Sequence, residues 1–449
     1  MHPLPSEVRW MLCIHMHKIG FISLGCPKNL VDTEIMIGLC AEAGYEITNA
    51  LDDAEFLVIN TCGFIDSAKE EAISTILEAA EYKKNNLKKL VVAGCLSQRY
   101  KDEILKELPE VDLLIGVDDF PKIVSLLENT SGCVVTGNTA PYPENTPRVL
   151  ATPSHRAFLK ISEGCDNKCT YCAIPSIRGP YRSRNMEDIL KEAAVLFEEG
   201  VKELSVVAQD TTRYGLDLYG KPMLSKLLEG LSDIGFTWIR IFYTYAELID
   251  DTLLDVIAKR ENILPYFDIP IQHIHNGILK KMGRRDTKES ILALLEKIKQ
   301  RLPDFTLRTS IIVGFPGETE EAFLELCDFV SLGYFDKVGI FQYSPEDGTP
   351  AAKLPDPVPD EIKEQRYQTL YKIAEKASCK ACNERIGKVE PVLTEGFEDM
   401  FYVGRTMRDG PDVDGKVYFT SEDSLSPGTF VQVRFIAAEE YDMIGEVVK

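Results

Sequence analysis

Three cysteines stand close together in the stretch Cys165-Asp-Asn-Lys-Cys169-Thr-Tyr-Cys172. Three thiolates on one short loop can each bind one iron of a cubane iron–sulfur cluster, which leaves the fourth iron without a protein ligand. Such an iron can bind and reduce a small molecule. Zinc is the alternative, with His155 or another side chain as a fourth ligand, although structural zinc sites commonly use two cysteine pairs. A disulfide framework does not suit an odd number of thiols.

A second set of three cysteines lies in the first third of the chain, where Cys26, Cys62 and Cys95 each follow a predicted strand. Apolar runs alternate with helical patterns there, which predicts a parallel sheet covered by helices. Ligands bind such sheets beyond the carboxyl ends of the strands, so the three loops would bring these thiols to one edge. A glycine adjoins each cysteine and would let the backbone approach a bulky cluster. Three unrelated buried cysteines are the alternative, because free cysteine is among the most buried residue types.

The region from about residue 150 to 375 also alternates between strand and helix patterns. Six βα units without a dinucleotide-binding glycine pattern predict a partial (β/α) barrel, whose active site would lie at the carboxyl ends of the strands. The polar residues expected near those ends are Gln209, Asp210, Gln272, His273 and Arg308. The junction Gly314-Phe-Pro-Gly-Glu318 has free N–H groups that could hold a carboxylate or ribose, or it is a plain turn.

The last part of the chain changes character after a charged helix predicted at 360–383. Short alternating strands separated by Gly, Pro and Asp turns predict a small antiparallel β-barrel. Such barrels can bind oligonucleotides, and Phe401 and Tyr402 could stack on bases. Residues 383–449 carry seven basic and fourteen acidic residues, a net charge of −7. Phosphates would be repelled, so we expect no direct nucleic-acid binding and place the aromatic rings in the core.

Length and composition limit the remaining possibilities. A chain of 449 residues is expected to form two to four domains. Its formal net charge of −21 suits a basic protein partner rather than nucleic acid. No apolar run approaches the roughly 20 residues that cross a bilayer, and the start has no signal-peptide pattern. We therefore expect no membrane contact and a cytoplasmic protein whose thiols are reduced or bound to metal.

The predicted organisation has five segments. These are an atypical extension at 1–17, a first α/β domain at 18–135, a linker at 136–155, a central barrel domain with its Pro-rich connection and helix at 156–382, and the β-barrel at 383–449. Residues 1–15 have no counterpart in patterns we recognise, so Met16 is a candidate start.

The two cysteine triads, Tyr171 before the last cysteine of the second triad, and the order of the parts together resemble the methylthiotransferases of the radical S-adenosylmethionine (radical SAM) superfamily. Within that family, the chain resembles the branch called RimO, which modifies an aspartate of the twelfth small-subunit ribosomal protein. The motifs that carry this likeness to the branch are Cys26-Pro-Lys-Asn29, Val403-Gly-Arg-Thr406 and Pro411-Asp-Val-Asp-Gly415.

The resemblance implies an α/β methylthiotransferase domain, a radical SAM barrel and an OB-like TRAM barrel. It assigns one 4Fe–4S cluster to Cys26, Cys62 and Cys95 and another to Cys165, Cys169 and Cys172. S-adenosylmethionine is the implied cofactor, and an electron donor of the flavodoxin or ferredoxin type is the implied partner. Our candidate contacts to S-adenosylmethionine are Tyr171, Gln209, Asp210, Gln272 and Arg308.

The implied reaction replaces a hydrogen on the aspartate β-carbon by a methylthio group. A radical derived from S-adenosylmethionine would abstract the hydrogen, and the first cluster would deliver the sulfur. Two alternatives remain at this point: a tRNA-adenosine methylthiotransferase, whose tail is typically more basic, and a non-catalytic electron-transfer or cluster-carrier protein. The segment Gln272-His-Ile-His-Asn-Gly277 departs from the family's commoner pattern, which leaves the roles of His273 and His275 open.

Overall fold

A computed structural model gives the fold and describes residues 17–129 and 131–448. The predicted extension at the start of the chain lies outside the described residues, apart from its last residue, His17. Three bodies follow one another along the chain, and each corresponds to one of the expected fold types.

The first body is a six-stranded parallel sheet with the order β2-β1-β3-β4-β5-β6. Its strands β1 to β6 are Lys18–Ser23, Glu46–Ile47, Phe56–Thr61, Lys89–Gly94, Leu113–Ile115 and Gly132–Val134. Its helices α1 to α5 are Pro27–Glu42, Asp66–Ala80, Cys95–Arg99, Lys101–Glu107 and Ile123–Asn129. Every residue of β3 is buried, as expected for a parallel strand with helices on both faces. The predicted parallel sheet is confirmed.

The second body contains a parallel sheet of six strands in the order β14-β13-β12-β11-β10-β7. Strands β7 to β14 are Arg156–Lys160, Ser162–Glu163, Arg182–Ser183, Glu203–Val207, Trp238–Ile241, Ile263–Asp268, Thr306–Val313 and Lys337–Gln342. The short strands β8 and β9 pair antiparallel apart from this sheet. Because β7 and β14 are not paired, the sheet is an open barrel, which confirms the predicted architecture.

The helices of the second body cover the outer face of this sheet. Helices α6 to α14 are Ile174–Arg178, Met186–Glu198, Leu216–Tyr219, Leu224–Ile234, Asp251–Lys259, Asn276–Lys281, Lys288–Arg301, Glu320–Ser331 and Asp360–Asn383. Leu204 and Leu307 pack in one core with these helices, whereas Phe158 and Tyr266 share a core with Ile19 of the first body. Alternation along the strands thus gives the sheet two buried faces, and the first body closes the concave one.

The third body is a closed barrel with the strand order β15-β16-β17-β19-β18. Strands β15 to β19 are Val389–Glu398, Phe401–Arg405, Val417–Thr420, Phe430–Ala438 and Met443–Val447. All pairs are antiparallel except β17 with β19, which run parallel. Tyr402 stacks on the buried ring of Phe419 at 5.7 Å between centroids. The predicted barrel is confirmed, with one parallel pair.

Buried charges attach the third body to the central sheet. Glu203 on β10 is fully buried and accepts hydrogen bonds from Arg240 at 2.9 Å and from Arg405 of the small barrel at 2.5 Å. Trp238 packs edge-on against Phe430 at 4.8 Å between centroids. A charged pair and an aromatic contact therefore hold the barrel against the amino-terminal half of the sheet. None of the helices in the described part of the chain combines the length and apolarity needed to cross a membrane.

Candidate active site

The first cysteine triad lies along one edge of the first sheet. Cys62 and Cys95 directly follow β3 and β4, and Cys26 follows β1 by three residues. Because β1, β3 and β4 are neighbours in the sheet, their carboxyl ends bring the three thiols to one place, as the sequence predicts. Cys26 and Cys95 also begin helices α1 and α3, so each loop is short and held at both ends.

Glycines beside the first triad leave no room for a side chain. Gly25 has a positive φ of 87°, and a Cβ at this position would lie 2.6 Å from the Cβ of Cys62. Gly94 has φ 93°, and a Cβ there would meet the side-chain oxygen of Asn60 at 2.2 Å. A larger residue at either position would push the cysteine loops apart. The glycines therefore allow the cysteine loops to approach one another closely.

The second triad lies on the loop between β8 and α6, at the carboxyl end of β7. The N–H of Cys165 donates to the carbonyl of Gly179 at 3.1 Å, which closes the loop at its base. Within the loop, the amide of Asn167 donates to the buried carboxylate of Asp210 at 2.7 Å. The loop is thus tied both to itself and to the end of the neighbouring strand β10.

Burial raises the pKa of four of the six thiols, whereas at Cys26 burial is outweighed by the charges of Lys28 and Arg178, which lower the pKa. Burial raises the pKa of Cys62 to about 12, with further contributions from the charges of Cys95 and Cys26. Burial likewise raises the pKa of Cys165 to about 12. Thiols bind metal as thiolates, so a cation is needed to stabilise the ionised form in such surroundings. The donor chemistry of both triads is that of a metal centre.

The two triads face one another across the boundary between the first and second bodies. Cys95 packs in one small apolar cluster with Ala173 and Ile177, and Ala173 directly follows Cys172. Burial raises the pKa of the Cys172 thiol, and the positive charge of Arg99, on the helix that Cys95 begins, is close enough to oppose part of that rise. The fold therefore places both triads in one site.

Arg178 joins the two triads through a buried network of charges. Its guanidinium donates to Asp32 at 2.9 Å and to Glu163 at 2.8 Å. The same guanidinium lies 3.4 Å from the sulfur of Cys95. Lys160 forms ion pairs with the same two carboxylates, at 2.9 Å in the case of Glu163. Two cations and two carboxylates thus balance one another between the triads, out of contact with water.

The donor set fits a cluster better than a single ion. Among residues 17–129 and 131–448, no three His, Cys, Asp or Glu side chains lie close enough to hold one metal ion. This argues against zinc, which needs its ligands around one atom. A cubane cluster takes one thiolate on each of several irons, so its ligands stand further apart. Three thiols in each triad match the ligand number of such a cluster, and the assignment of the six cysteines as its ligands stays a prediction.

Two of the candidate cofactor contacts, Gln209 and Asp210, lie beside the second triad. Asp210 accepts from Asn167 and from Thr212 at 2.6 Å, so its carboxylate holds the cysteine loop. The amide nitrogen of Gln209 donates to Glu163 at 2.6 Å, and its buried side-chain oxygen has no hydrogen-bond partner. An orphaned acceptor next to the triad is available to a ligand.

Tyr171 and Gln272 lie at the mouth of the open barrel. The ring of Tyr171 meets Phe315, in the junction after β13, at 6.4 Å between centroids. Gln272 has a left-handed φ of 68°, and its backbone pairs with β13 through Ser310 at 2.9 Å and Ile312 at 2.8 Å. Strain of this kind in a residue other than glycine is common at ligand-binding positions. Both placements agree with the predicted contacts, which stay predictions.

Arg308 is not brought to the carboxyl end of its strand. It is the third residue of the eight-residue strand β13, and its guanidinium lies 2.8 Å from Asp268 and 3.4 Å from Asp414 of the small barrel. Two carboxylates therefore engage it already, one of them from the third body. The spacing of the motif could not show this, because Asp414 comes from a distant part of the chain.

His273 and His275 differ in burial and in their contacts. His273 is fully buried, accepts the N–H of His275 at Nδ1 (2.9 Å), and donates from Nε2 to Glu318 at 3.2 Å. Glu318 also accepts from Gly314 and, at 3.0 Å, from Arg366. His273 thus braces the junction between β13 and α13. His275 is partly exposed.

Sequence reasoning did not single out Arg178 or Lys28. Arg178 stands in no motif, and nothing in its neighbourhood shows that it meets a thiol of the first body. Lys28 belongs to the Cys26-Pro-Lys-Asn29 motif, which suggested a family branch but no role for its ammonium group. The structure places Lys28 over the ring of Tyr243, at the end of a barrel strand.

Family models match all three bodies. Residues 18–116 match the uncharacterized protein family UPF0004, residues 159–330 the radical SAM superfamily, and residues 386–448 the TRAM domain. These limits fall inside the predicted domains, whose boundaries at 18–135, 156–382 and 383–449 stay predictions.

Curated relatives are similar to the chain over nearly its whole length. A protein of Caldicellulosiruptor saccharolyticus is 49% identical over 96% of this chain and 100% of its own. One of Clostridioides difficile is 50% identical over 96% and 99%, and one of Syntrophotalea carbinolica is 45% identical over 97% and 98%. All three are named ribosomal protein uS12 methylthiotransferase RimO.

Solved structures share the fold at low sequence identity. The radical S-adenosylmethionine methyltransferase TsrM from Kitasatospora setae, with cobalamin and a [4Fe-4S] cluster bound, matches with a TM-score of 0.56. It is 11% identical, and the match covers 75% of this chain and 74% of that one. The cobalamin-dependent radical enzyme OxsB matches with a TM-score of 0.50 over 80% of this chain and 56% of its own, at 14% identity.

Proposed function

The chain belongs to the RimO family of radical SAM methylthiotransferases, and we propose that it attaches a methylthio group to the β-carbon of an aspartate of ribosomal protein uS12. It uses two 4Fe–4S clusters and S-adenosylmethionine. The assignment of uS12 as the substrate is supported by relatives that carry this name, are about half identical to this chain and match it over nearly their whole length.

One observation carries the proposal: two triads of buried or half-buried thiols lie on either side of the boundary between the first and second bodies. When bound, the clusters would supply one-electron reduction of S-adenosylmethionine and a site for the transferred sulfur. Cys165, Cys169 and Cys172 would hold the cluster on the barrel side. Cys26, Cys62 and Cys95 would hold the other cluster, on the side of the first body.

Buried hydrogen bonds hold the two cysteine triads in fixed positions. Asp210 fixes the second cysteine loop through Asn167, and Arg178 fixes the first triad relative to the second through Asp32 and Glu163. A radical reaction needs its partners at fixed separation, because a displaced radical reacts elsewhere. These buried bonds position the two halves of the site without taking part in bond making.

The acidic third body supports a protein substrate. Its net charge of −7 opposes a general affinity for tRNA, while it suits the basic proteins found in ribosomes. Both the tRNA-modifying alternative and the carrier alternative lack such support. We place the reaction in the cytoplasm, where thiols stay reduced. A small one-electron donor of the flavodoxin or ferredoxin type would feed the cluster on the second triad.

The test is anaerobic turnover with purified uS12, with bulk tRNA as the parallel substrate. We expect uS12 to gain the mass of one methylthio group in place of one hydrogen on a single aspartate, measured by mass spectrometry of its peptides. A methylthio group on tRNA adenosine with unchanged uS12 would contradict the proposal.

Two variants test the division of labour between the triads. Cys169→Ala should abolish release of 5′-deoxyadenosine, whereas Cys95→Ala should retain that release and lose methylthio transfer. Cys133→Ala is the matched control, because Cys133 is an exposed thiol of β6 outside both triads. Equal turnover of the Cys95 and Cys133 variants would remove the first triad from the reaction.

A further inference from the structure

Lys28 brings a buried cation from beside the first triad to the central barrel. It stands two residues after Cys26, in the first turn of α1, and its side chain is largely buried. Its ammonium nitrogen lies 3.5 Å from the ring centroid of Tyr243, which follows the end of β11. A cation from the first body is thus held against an aromatic face at the mouth of the barrel.

No carboxylate in the described part of the chain forms an ion pair with Lys28. Asp32 and Glu163 are engaged by Lys160 and Arg178, and Asp268 is engaged by Arg308. Buried charges are normally paired, because the loss of hydration is otherwise uncompensated. Lys28 is therefore a buried cation without a carboxylate partner of its own.

Tyr243 gives a second, independent indication that this place binds something. Its φ is +58°, a left-handed conformation that is rare for a bulky aromatic residue. The conformation is held by a hydrogen bond from its own N–H to the carboxylate of Asp268 at 3.0 Å. Backbone strain of this kind concentrates at ligand-binding positions, where it aims a side chain. Here it aims the ring at Lys28.

We propose that Lys28 binds the side-chain carboxylate of the substrate aspartate. This inference rests on the proposed function, because the substrate carbon is adjacent to that carboxylate. An ammonium fixed by the Tyr243 ring would hold the carboxylate, and with it the β-hydrogen, at one place between the triads. It would also select against asparagine, which offers no negative charge, and against glutamate, whose reacting carbon would be displaced by one methylene.

A competing role for Lys28 is to balance the negative charge of the first cluster. Arg178 already supplies a cation to that triad, 3.4 Å from the sulfur of Cys95. If Lys28 binds the substrate carboxylate, its loss changes the affinity for that carboxylate. If Lys28 balances the cluster charge, its loss changes the redox potential of the first cluster. Affinities for aspartate and asparagine forms of uS12 report the first role, and an anaerobic redox titration of wild type and Lys28→Met reports the second.

The experiment is a binding cycle with protein that carries both clusters, kept anaerobic. Wild type and Lys28→Met are each titrated with uS12 and with a uS12 variant that has asparagine in place of the modified aspartate. We expect wild type to bind the aspartate form about tenfold to a hundredfold more tightly, the low end for a close charge pair. Lys28→Met should bind both forms with equal affinity, and Lys28→Arg should recover part of the preference.

Controls separate this role from loss of structure. Lys226→Met removes an exposed lysine of α9 and should keep the wild-type preference. Iron content near eight atoms per chain should be unchanged in Lys28→Met. An undiminished preference for aspartate in Lys28→Met would overturn the proposal. A shifted cluster potential in that case would assign Lys28 to the first cluster instead.

The outcomes also separate this inference from the proposed function. If uS12 neither binds wild type nor becomes modified, the substrate assignment is wrong. If uS12 is modified and the aspartate preference survives in Lys28→Met, the substrate assignment stands and the role of Lys28 is refuted.

Discussion

Replacement of Arg178 by methionine should weaken the protein and change the first cluster. The guanidinium is 2% exposed and contacts two carboxylates and a cysteine sulfur. Methionine fills much of the same volume, so the main loss is charge rather than packing. Lys160 alone would then face Asp32 and Glu163, which leaves one buried negative charge without a partner.

The expected cost follows from that imbalance. Removing one partner from a buried ion pair costs about 3–5 kcal/mol of unfolding free energy. Arg178→Lys keeps the charge but loses the planar fork that reaches several acceptors, so we expect a smaller cost of about 1–2 kcal/mol. Hydrogen bonds to cluster sulfurs stabilise the reduced state. Loss of the contact to Cys95 should therefore lower the potential of the first cluster by about 40–90 mV, equivalent to ~1–2 kcal/mol for one electron.

Two measurements check these values. Urea unfolding of cluster-free protein, followed by circular dichroism, gives the free energies of wild type, Arg178→Met and Arg178→Lys. An anaerobic redox titration of the reconstituted proteins gives the potentials. An Arg178→Met variant with a stability within about 1 kcal/mol of wild type and an unchanged potential would refute the reasoning.

Two further outcomes are expected. Cys62→Ala should hold about four irons where wild type holds about eight, and unchanged iron would exclude Cys62 as a ligand. Burial tends to raise the pKa of Glu395, but the nearby His155 ring, 3.9 Å away, and the charge of Arg405 lower it from the ordinary 4.5 to about 2. The ionised Glu395 should therefore contribute about 2–3 kcal/mol of stability above pH ~4.5, lost as the pH falls toward 2. Glu395→Gln should flatten that part of the stability profile of cluster-free protein, and an unchanged profile would show that Glu395 is not its source.

The fold was largely predictable because its signals are local. Alternating apolar runs and helical patterns indicated both parallel sheets, and the positions of Cys26, Cys62 and Cys95 after strands indicated their convergence. Parallel strands in one sheet put their carboxyl ends on one edge, so strand order alone decides such a meeting. Arg308 shows the limit of this reasoning, since its partner Asp414 belongs to a different body.

The sequence by itself determined which residues could bind metal: two sets of three thiols, their spacing, and the strands that carry them. Only the tertiary structure decided that the two sets face one another and what lies between them. Arg178 meets Cys95, 83 residues away, and Lys28 meets Tyr243 across two bodies. Such contacts depend on how separate sheets pack, and periodicity within a segment carries no information about the packing partner of a buried charge.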